Sequence, residues 1–397
     1  MLSGEQFKMY SKQVEEIYNK YKDRRGLFDE KKDQTTYKIN YVSSYVKEWL
    51  YVLANRKEAT TINFIDCMCN AGIYADGELG TPLKALLHMR EFAQAHPDVK
   101  FNVFLNDHNS DRLMVITELV EAINKPCPAN LTVNFSNEDV NDYIEQLQKF
   151  AKYCGVYNAS TLLFVDPYNF GTVKINVLQK FLRTYYAELI FNVFTSDFVR
   201  NGKSHVSGKK IQACLEGHDL SNINNVEDLI ALISKELTTG NIKHTFQYEF
   251  RTQTNRELYQ IMFCTPNIKG IEQLKKALWE VFQGAKFHKN KKVGDTSQIS
   301  LFELFPDCYD DEASLLSERA TEARQMLMAK YAHEKRVITY NEISTFIQCR
   351  TMLKKSHIIS QVLVPLIEEG KLRRILKEGK RSSNYTEADY SFVAGGI

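Results

Sequence analysis

The stretch TLLFVDPYNFG (161–171) decides the fold that this sequence predicts. Its run LLFV is uninterruptedly apolar, which is typical of a strand buried on both faces of a parallel sheet. Asp166 and Pro167 end the run. Because open α/β sheets bind ligands at the carboxyl ends of their strands, the stretch predicts a central strand that delivers Asp166 to the ligand edge.

The same pattern recurs on both sides of this strand. Short apolar runs alternate with amphipathic helical stretches between residues 60 and 265. This alternation predicts a Rossmann-like α/β fold, a doubly wound parallel sheet covered by helices on both faces. The predicted strands are TINFID (61–66), KFNVFLND (100–107), LTVNF (131–135), TLLFVDP (161–167), ELIFNVF (188–194) and LYQIMFCT (258–265).

The rest of the chain predicts further segments around this domain. Residues 1–36 are expected to form an N-terminal helical extension, and residues 37–285 the α/β domain. The segment 286–300 is lysine-rich, has no apolar periodicity and predicts a linker. In 301–397, amphipathic helices, one of them capped by Thr339 and another bent at Pro365, precede a basic hairpin, which predicts a winged helix-turn-helix.

Composition limits the class of protein but not its ligand. The net charge is +2 on 397 residues, so a nucleic-acid ligand must be argued from local clusters. The eight cysteines are scattered without a ligand spacing, which favours reduced thiols and predicts no metal site. An apolar signal segment is missing from MLSGEQFKMYSK, so we expect a cytoplasmic protein.

Polar residues follow the first predicted strand in FIDCMCNAGIY (64–74). Asp66 ends the strand, and Asn70 and Gly72 lie in the turn. Asn is the best substitute for glycine at a positive φ, so this turn resembles the loop that approaches the methionine part of S-adenosylmethionine (SAM) in methyltransferases. An ordinary strand-to-helix turn remains the alternative.

The next two strand ends carry further candidates for a nucleoside ligand. Asp107 can accept the ribose hydroxyls, as acidic residues do in dinucleotide folds, or Asp107 or Asn109 can cap the following helix. In FSNEDVNDY, the side chain of Asn137, Glu138 or Asp139 can accept from the adenine amine, or the same residues can cap a helix.

The turn Asp166-Pro167-Tyr168 is the candidate catalytic group. Methyltransferases that act on exocyclic amines use an acidic-Pro-aromatic turn to accept the amine hydrogens and to stack on the base. A strand-ending turn without a catalytic role is the alternative. Neither G-x-G-x-x-G nor a P-loop occurs in the sequence, which disfavours NAD and ATP.

Taken together, these segments resemble the three-Cys-motif partner protein (TcmP) family from about residue 37 onward. The matching features are Lys38, Tyr45, FIDCMCNAG, GTPLKALL (80–87), VDPYNFG (165–171), ELIFN (188–192) and YQIMFCTPNIKGIEQLKKALW (259–279). The resemblance implies a SAM-methyltransferase-like fold with a C-terminal winged helix, SAM as cofactor with Lys38 near it, and a radical-SAM-like partner protein.

The sequence departs from related patterns at two places. The family's first loop resembles D-G-F-A-G-x-G, whereas this chain has Asp66 to Gly72 as DCMCNAG, with Asn70 in place of a glycine. The turn is DPYNFG and not the DPPY of amino-methyltransferases, so Tyr168 lies one position closer to Asp166 than their stacking aromatic does.

Two basic clusters could contact nucleic acid. Between Arg336 and Arg381 there are ten Lys and Arg residues against four acidic ones, and RNGKSHVSGKK (200–210) follows the fifth predicted strand. A solvated basic face is the alternative. The candidate nucleic-acid contacts are Lys203, Lys209, Lys210, Lys354, Lys355, Arg373, Arg374, Lys380 and Arg381.

Three functions follow from these observations. The first is a SAM-dependent methyltransferase that acts on DNA or RNA. The second is a non-catalytic nucleic-acid-binding partner protein with a degenerate methyltransferase fold. The third is a metal-dependent nuclease with Asp66, Asp107 and Asp166 as ligands, which requires these carboxylates to converge.

Overall fold

The computed structural model describes residues 4–31, 33–54, 60–151, 159–195, 211–218, 220, 223–252, 257–282, 287–289, 312–334, 336–377 and 384–393. The chain divides into two compact units, Met1–Gly270 with Phe287–Asn290, and Ile271–Lys286 with Lys291–Ile397. The first unit contains both the predicted sheet and the predicted N-terminal extension. Of the predicted linker, only residues 287–289 are described, and they form a short strand.

The first unit is built on a mixed sheet, with eight strands among the described residues. The strands are β1 (Thr61–Asp66), β2 (Lys100–Asn106), β3 (Leu131–Ser136), β4 (Ala159–Val165), β5 (Ala187–Val193), β6 (His244–Thr252), β7 (Glu257–Thr265) and β8 (Phe287–Lys289). They lie in the order β3-β2-β1-β4-β5-β7-β6-β8. The order reverses between β1 and β4, and this reversal is the switch point at which open α/β sheets bind ligands.

The strand positions confirm the sequence prediction, but the prediction of a parallel sheet is wrong at one end. Strands β1 to β5 pair in parallel, whereas β7 is antiparallel to both β5 and β6. The prediction missed β6, because HTFQYEFRT alternates apolar and polar residues and contains no continuous apolar run. The fold is a Rossmann-like α/β fold with an antiparallel addition.

Helices pack in two layers around this sheet. They are α1 (Gly4–Tyr21), α2 (Asp33–Ala54), α3 (Thr81–Ala95), α4 (Ser110–Ile123), α5 (Val140–Ala151), α6 (Ile175–Thr184) and α7 (Val226–Leu237). Helix α8 (Ile268–Phe282) follows β7 and belongs to the second unit from Ile271 onward. Helix α2 packs on α3 and α1 on α4, while α5, α6 and α7 form one apolar core with β4 and β5. None of the described helices is both long and apolar enough to span a bilayer.

A buried polar network joins α2, β5 and β7. The Glu188 carboxylate on β5 accepts hydrogen bonds from the Tyr45 hydroxyl on α2 and, at 2.5 Å, from the Thr265 hydroxyl on β7. Gly270 lies against it, and a Cβ built there would be 2.4 Å from Glu188 Oε1. The network therefore fixes α2 against β5, and it needs glycine at position 270.

The second unit combines helices with a small antiparallel sheet. Its elements after α8 are α9 (Glu312–Tyr331), β9 (Ile338–Thr339), α10 (Tyr340–Arg350), α11 (Lys355–Ile358), a π-helical segment (Ile359–Leu363), α12 (Val364–Glu368), β10 (Leu372–Ile375) and β11 (Asp389–Phe392). The strands lie in the order β10-β11-β9. The Thr339 hydroxyl accepts from the Glu342 N–H at 3.2 Å, which confirms the predicted cap of α10.

The π-helical segment ends at Leu363, two residues before Pro365, where the sequence predicts a bend. Proline has no N–H, so it leaves a carbonyl of the preceding turn without its helical donor. Arg324 on α9 compensates, because its guanidinium donates to the Gln361 carbonyl at 2.8 Å. The irregular turn is thus stabilised by a side chain from a neighbouring helix.

Candidate functional site

Two acidic side chains flank the switch point of the sheet. Asp66 is the last residue of β1, Asp166 directly follows β4, and the two strands pair in parallel. Asp107 directly follows β2 on the other side of β1. The fold therefore brings the carboxylates of Asp66, Asp107 and Asp166 to one edge, which is where the sequence predicts them.

Asp66 is a buried carboxylate with one oxygen unused. Its Oδ1 accepts from the Met68 N–H at 3.1 Å, and its Oδ2 is buried without a hydrogen-bond partner among the described residues. Burial raises the pKa of Asp66 well above its ordinary value, and the nearby carboxylates of Asp166 and Asp107 add to this increase. The unused oxygen can accept from a donor that a ligand brings.

Asp166 is held by two donors from flanking elements. The Lys38 ammonium on α2 lies 2.5 Å from its Oδ2, and the Asn192 side-chain amide on β5 donates to its Oδ1 at 2.7 Å. Lys38, predicted to lie near a cofactor, is thus an ion-pair partner of the predicted catalytic carboxylate. Pro167 is buried, and Tyr168 points outward with 47% of its surface exposed.

The turn after β1 has the conformation that the sequence predicts. Asn70 has a φ of 57°, the left-handed region in which Asn is the best substitute for glycine. Gly72 has a φ of 73°, and a Cβ there would lie 2.9 Å from the Ile116 side chain on α4. Gly72 is therefore required by backbone conformation and by helix packing, independently of any ligand.

Asp107 joins the first two strand-end loops. Its Oδ2 accepts from the Asn70 N–H at 2.9 Å, and its Oδ1 accepts from the Asn109 N–H at 2.8 Å. The side chain of Asn109, and not that of Asp107, caps α4 by accepting from two N–H groups of its first turn. Asp107 is buried, so a ribose would have to share oxygens that already accept backbone donors.

The residues after β3 are used mainly by the protein itself. Asp139 accepts from the Asn141 N–H at 2.8 Å at the start of α5, which is the capping alternative considered for it. The Asn137 amide donates to the Asp107 carbonyl at 2.7 Å. Glu138 pairs through its main chain with the side chain of Asn106. These contacts hold the loop after β3 in place, and adenine binding by Asn137, Glu138 or Asp139 stays a prediction.

The segment between α1 and α2 lies across this edge. The Asp29 carboxylate accepts from the Arg112 guanidinium at 2.8 Å, from the Asn70 amide at 2.5 Å and from the Tyr168 hydroxyl at 3.1 Å. The Asp29 carbonyl also accepts from the Ala75 N–H at 3.0 Å. Donors from three different strand-end connections therefore converge on one acid of the N-terminal segment.

Sequence reasoning missed three residues of this site. Asn192 could have been found, because it is a polar residue near the carboxyl end of the predicted strand ELIFNVF, close to the ligand edge that Asp166 also reaches. Asp29 and Arg112 carry no such signal, because one lies in an irregular segment and the other on the first turn of a helix. Only the folded chain brings them together.

The basic residues of the second unit are largely engaged. Lys355 pairs with Glu272 at 2.8 Å, and the Lys354 ammonium lies 4.9 Å from the centre of the Trp279 ring. The Arg374 guanidinium lies 4.1 Å from the centre of the Tyr385 ring. Three further basic residues form ion pairs: Arg336 with Glu334 and Glu342, Lys371 with Glu369, and Lys377 with Asp389.

The positive surplus counted along the sequence is therefore smaller in the folded unit, because Glu272, Glu334 and Asp389 lie outside the counted stretch. Arg373 on β10 is exposed. The remaining predicted contacts, Lys203, Lys209, Lys210, Lys380 and Arg381, lie outside the described residues. Within the described part of the chain, no group of three or more His, Cys, Asp or Glu side chains has the arrangement of a metal site.

Comparison with solved structures finds methyltransferases at low sequence identity. A SAM-dependent methyltransferase from Agrobacterium tumefaciens is 8% identical, with 56% of this chain and 61% of that chain covered and a TM-score of 0.32. Trm1 from Pyrococcus horikoshii, solved with S-adenosyl-L-methionine, is 11% identical, with 91% of each chain covered and a TM-score of 0.33. A type I restriction-modification methyltransferase subunit from Streptococcus thermophilus is 10% identical, with 57% and 43% covered and a TM-score of 0.31.

No protein-family model matches the chain, and no curated protein matches it. The chain spans 61% of the length of the Agrobacterium protein and 43% of that of the Streptococcus subunit. The assignment of a Rossmann-like α/β fold therefore rests on the strand order and on the parallel pairing of β1 to β5, and not on these similarities.

Proposed function

We propose that the first unit binds SAM at the switch point and transfers its methyl group to an exocyclic amine of a nucleic-acid base. The observation that carries the proposal is the unused Asp66 oxygen beside Asp166 at the edge where such sheets bind ligands. A buried acceptor without a donor costs stability, so it points to a ligand that supplies the donor.

The residues at this edge fit an amino-acid ligand with a nucleoside. Asp66 Oδ2 would accept from the SAM ammonium, and the Asn192 Oδ1, also buried without a partner among the described residues, offers a second acceptor. Each Asp107 oxygen accepts one backbone N–H and keeps a lone pair for a ribose hydroxyl. When bound, SAM supplies an electrophilic methyl group on a sulfonium.

The chain's own residues then have separate tasks at the acceptor amine. Asp166 and the Pro167 carbonyl would accept the amine hydrogens and so orient the nitrogen lone pair. Lys38 and Asn192 hold the Asp166 carboxylate in one orientation. Tyr168, exposed at the rim, would stack on the base.

The proposal includes the second unit and a partner protein. We infer that α10, α11 and β10 with β11 form a winged helix-turn-helix, and that the chain is a TcmP-like protein that works with a radical-SAM-like partner. Helix α11 follows α10 after a four-residue connection, which suits this motif. Lys354, Lys355 and Arg374 are engaged with Trp279, Glu272 and Tyr385, so we assign phosphate contact to Arg373, which is exposed.

Titration calorimetry of the full chain with SAM tests the proposal, followed by transfer of a tritiated methyl group to DNA or RNA. We expect Asp66→Asn to weaken SAM binding at least about tenfold, the loss of one charged hydrogen bond. Asp166→Ala should retain SAM binding and lose transfer. Asp111→Asn, the same type of change at an exposed acid on α4, is the control. An absence of SAM binding at millimolar concentration would reject the proposal.

The second candidate is the non-catalytic nucleic-acid-binding partner protein. It is favoured by the edge itself, where Asp107 already accepts two backbone donors and Asp29 lies over Asn70. It predicts that Asp166→Ala leaves biological activity intact, whereas charge reversal at Arg373 and Arg374 abolishes it. The opposite pattern rules this candidate out.

A further inference from the structure

Three donors at the strand-end edge form a site for one anionic group. The Arg112 guanidinium, the Asn70 side-chain amide and the Tyr168 hydroxyl come from the loops or helices that follow β2, β1 and β4. All three donate to the same carboxylate. Convergence of a guanidinium with neutral donors is the chemistry that recognises a carboxylate or a phosphate.

The donors are held in place independently of the acid they bind. The main-chain N–H of Arg112 is bound by the Asn109 cap, so its Cα is fixed in the first turn of α4. Asn70 is held by the bond from its N–H to Asp107. The Arg112 side chain is only 12% exposed, and its Nε is buried with no acceptor among the described residues. Its terminal nitrogens also donate to the Tyr168 hydroxyl and, at 3.2 Å, to the Gly26 carbonyl, so Nε is the guanidinium nitrogen left for a further acceptor oxygen.

The occupant, in contrast, belongs to a segment that is also attached elsewhere. Lys31 pairs with Asp76 at 2.7 Å, the Asp29 carbonyl accepts from Ala75, and the Tyr18 hydroxyl donates to the Ala75 carbonyl. These contacts lie on the loop after Gly72 and do not involve the three donors, and the Gly26 carbonyl of the same segment accepts from Arg112 at 3.2 Å. The segment can therefore stay attached while the Asp29 side chain, which is 32% exposed, leaves the donors.

We propose that Asn70, Arg112 and Tyr168 are an anion-binding site in which Asp29 is an exchangeable internal occupant, replaced by the carboxylate or phosphate group of a ligand. The site rests on its own geometry. Only the two ligand sources, the carboxylate of SAM and a phosphate of the nucleic acid, rest on the proposed function. Asp29 thereby competes with the ligand and sets its apparent affinity.

Titration of the full chain with inorganic phosphate at constant ionic strength tests the site. Asp29→Ala removes the competitor. If Asp29 leaves the three donors free in about a tenth of the wild-type molecules, the variant should bind phosphate about tenfold more tightly, because the site is then free in all of them. Adding Arg112→Met should abolish the gain. Glu30→Ala removes the same charge from an exposed position on the same segment and should match the wild type.

Equal phosphate affinity in the wild type and in Asp29→Ala, or a gain that survives Arg112→Met, would overturn the proposal. Asp29→Asn, which keeps the shape of the side chain, is the second variant should the alanine variant fold poorly, and the same gain is expected. Titrations with SAM and with a short oligonucleotide then show which ligand shares the gain. Phosphate binding without SAM binding would retain this site and reject the proposed methyl transfer, so the two failures are distinguishable.

Discussion

Replacing Gly270 by alanine should destabilise the first unit, although it removes a glycine from a helix. Gly270 is the third residue of α8, where helix propensity alone favours alanine by up to about 1 kcal/mol. A Cβ at this position would lie 2.4 Å from Glu188 Oε1 and 2.4 Å from Thr265 Oγ1. These two oxygens are hydrogen-bonded to each other at 2.5 Å, and the Tyr45 hydroxyl binds the other carboxylate oxygen.

The clash therefore outweighs the helix propensity. Forcing an extra carbon into a packed interior costs about 1–3 kcal/mol. Breaking one hydrogen bond to a buried carboxylate costs about 1.5–3 kcal/mol more. After subtraction of about 1 kcal/mol for the gain in propensity, we expect Gly270→Ala to lower the free energy of unfolding by about 1.5–5 kcal/mol.

Urea denaturation monitored by circular dichroism measures this loss. Thr265→Ala opens space beside Gly270, so the same glycine substitution should cost at least about 1 kcal/mol less in the Thr265→Ala background, as expected for residues in contact. A Gly270→Ala variant as stable as the wild type would refute the reasoning. The network also matters for the site, because α2 and β5 carry Lys38 and Asn192, the two donors that hold Asp166.

Three further predictions concern single side chains. Folding raises the pKa of Asp66, so the protonated side chain costs no stability below the unfolded pKa, and the protein loses stability as the pH rises through the folded pKa. Asp66→Asn, which cannot ionise, should therefore stabilise the protein at pH 7 and not near pH 4. A gain in stability that is independent of pH would contradict this. Arg324→Met should cost about 1–3 kcal/mol of unfolding free energy, because the Gln361 carbonyl loses its donor, and unchanged urea denaturation would argue against that role. Lys355→Met should cost less than about 1 kcal/mol, because the pair with Glu272 is half exposed at the lysine, and a larger loss in thermal melts, or one insensitive to salt, would show a different role.

The central part of the fold was predictable because each strand has its own local signal. Apolar runs such as LLFV are bounded by polar turns, and buried parallel strands require this composition. The same logic located Asp66, Asp107 and Asp166, since residues after parallel strands must share one edge. It also predicted the left-handed conformation of Asn70, which depends only on its own backbone.

The contacts that complete the site could not be predicted in this way. Asp29 and Arg112 are 83 positions apart and meet through tertiary packing that no local pattern encodes. The ion pair between Lys355 and Glu272, also 83 positions apart, could not be predicted because a charge count over a stretch of sequence includes only residues within that stretch. Strand β6 was missed because its alternation of apolar and polar residues gives a weaker signal than a continuous apolar run.

The ion pair between Lys38 and Asp166 has a consequence for the charge of any amine that reaches this carboxylate. A fixed ammonium on one carboxylate oxygen repels a second cation, and two unit charges about 4 Å apart near a protein surface repel by about 4 kcal/mol. A neutral aromatic amine escapes this repulsion. In the proposed function, this ammonium would offset the attraction of the Asp166 carboxylate for cations, so the uncharged amines of nucleobases would be favoured over protonated aliphatic amines such as those of lysine side chains.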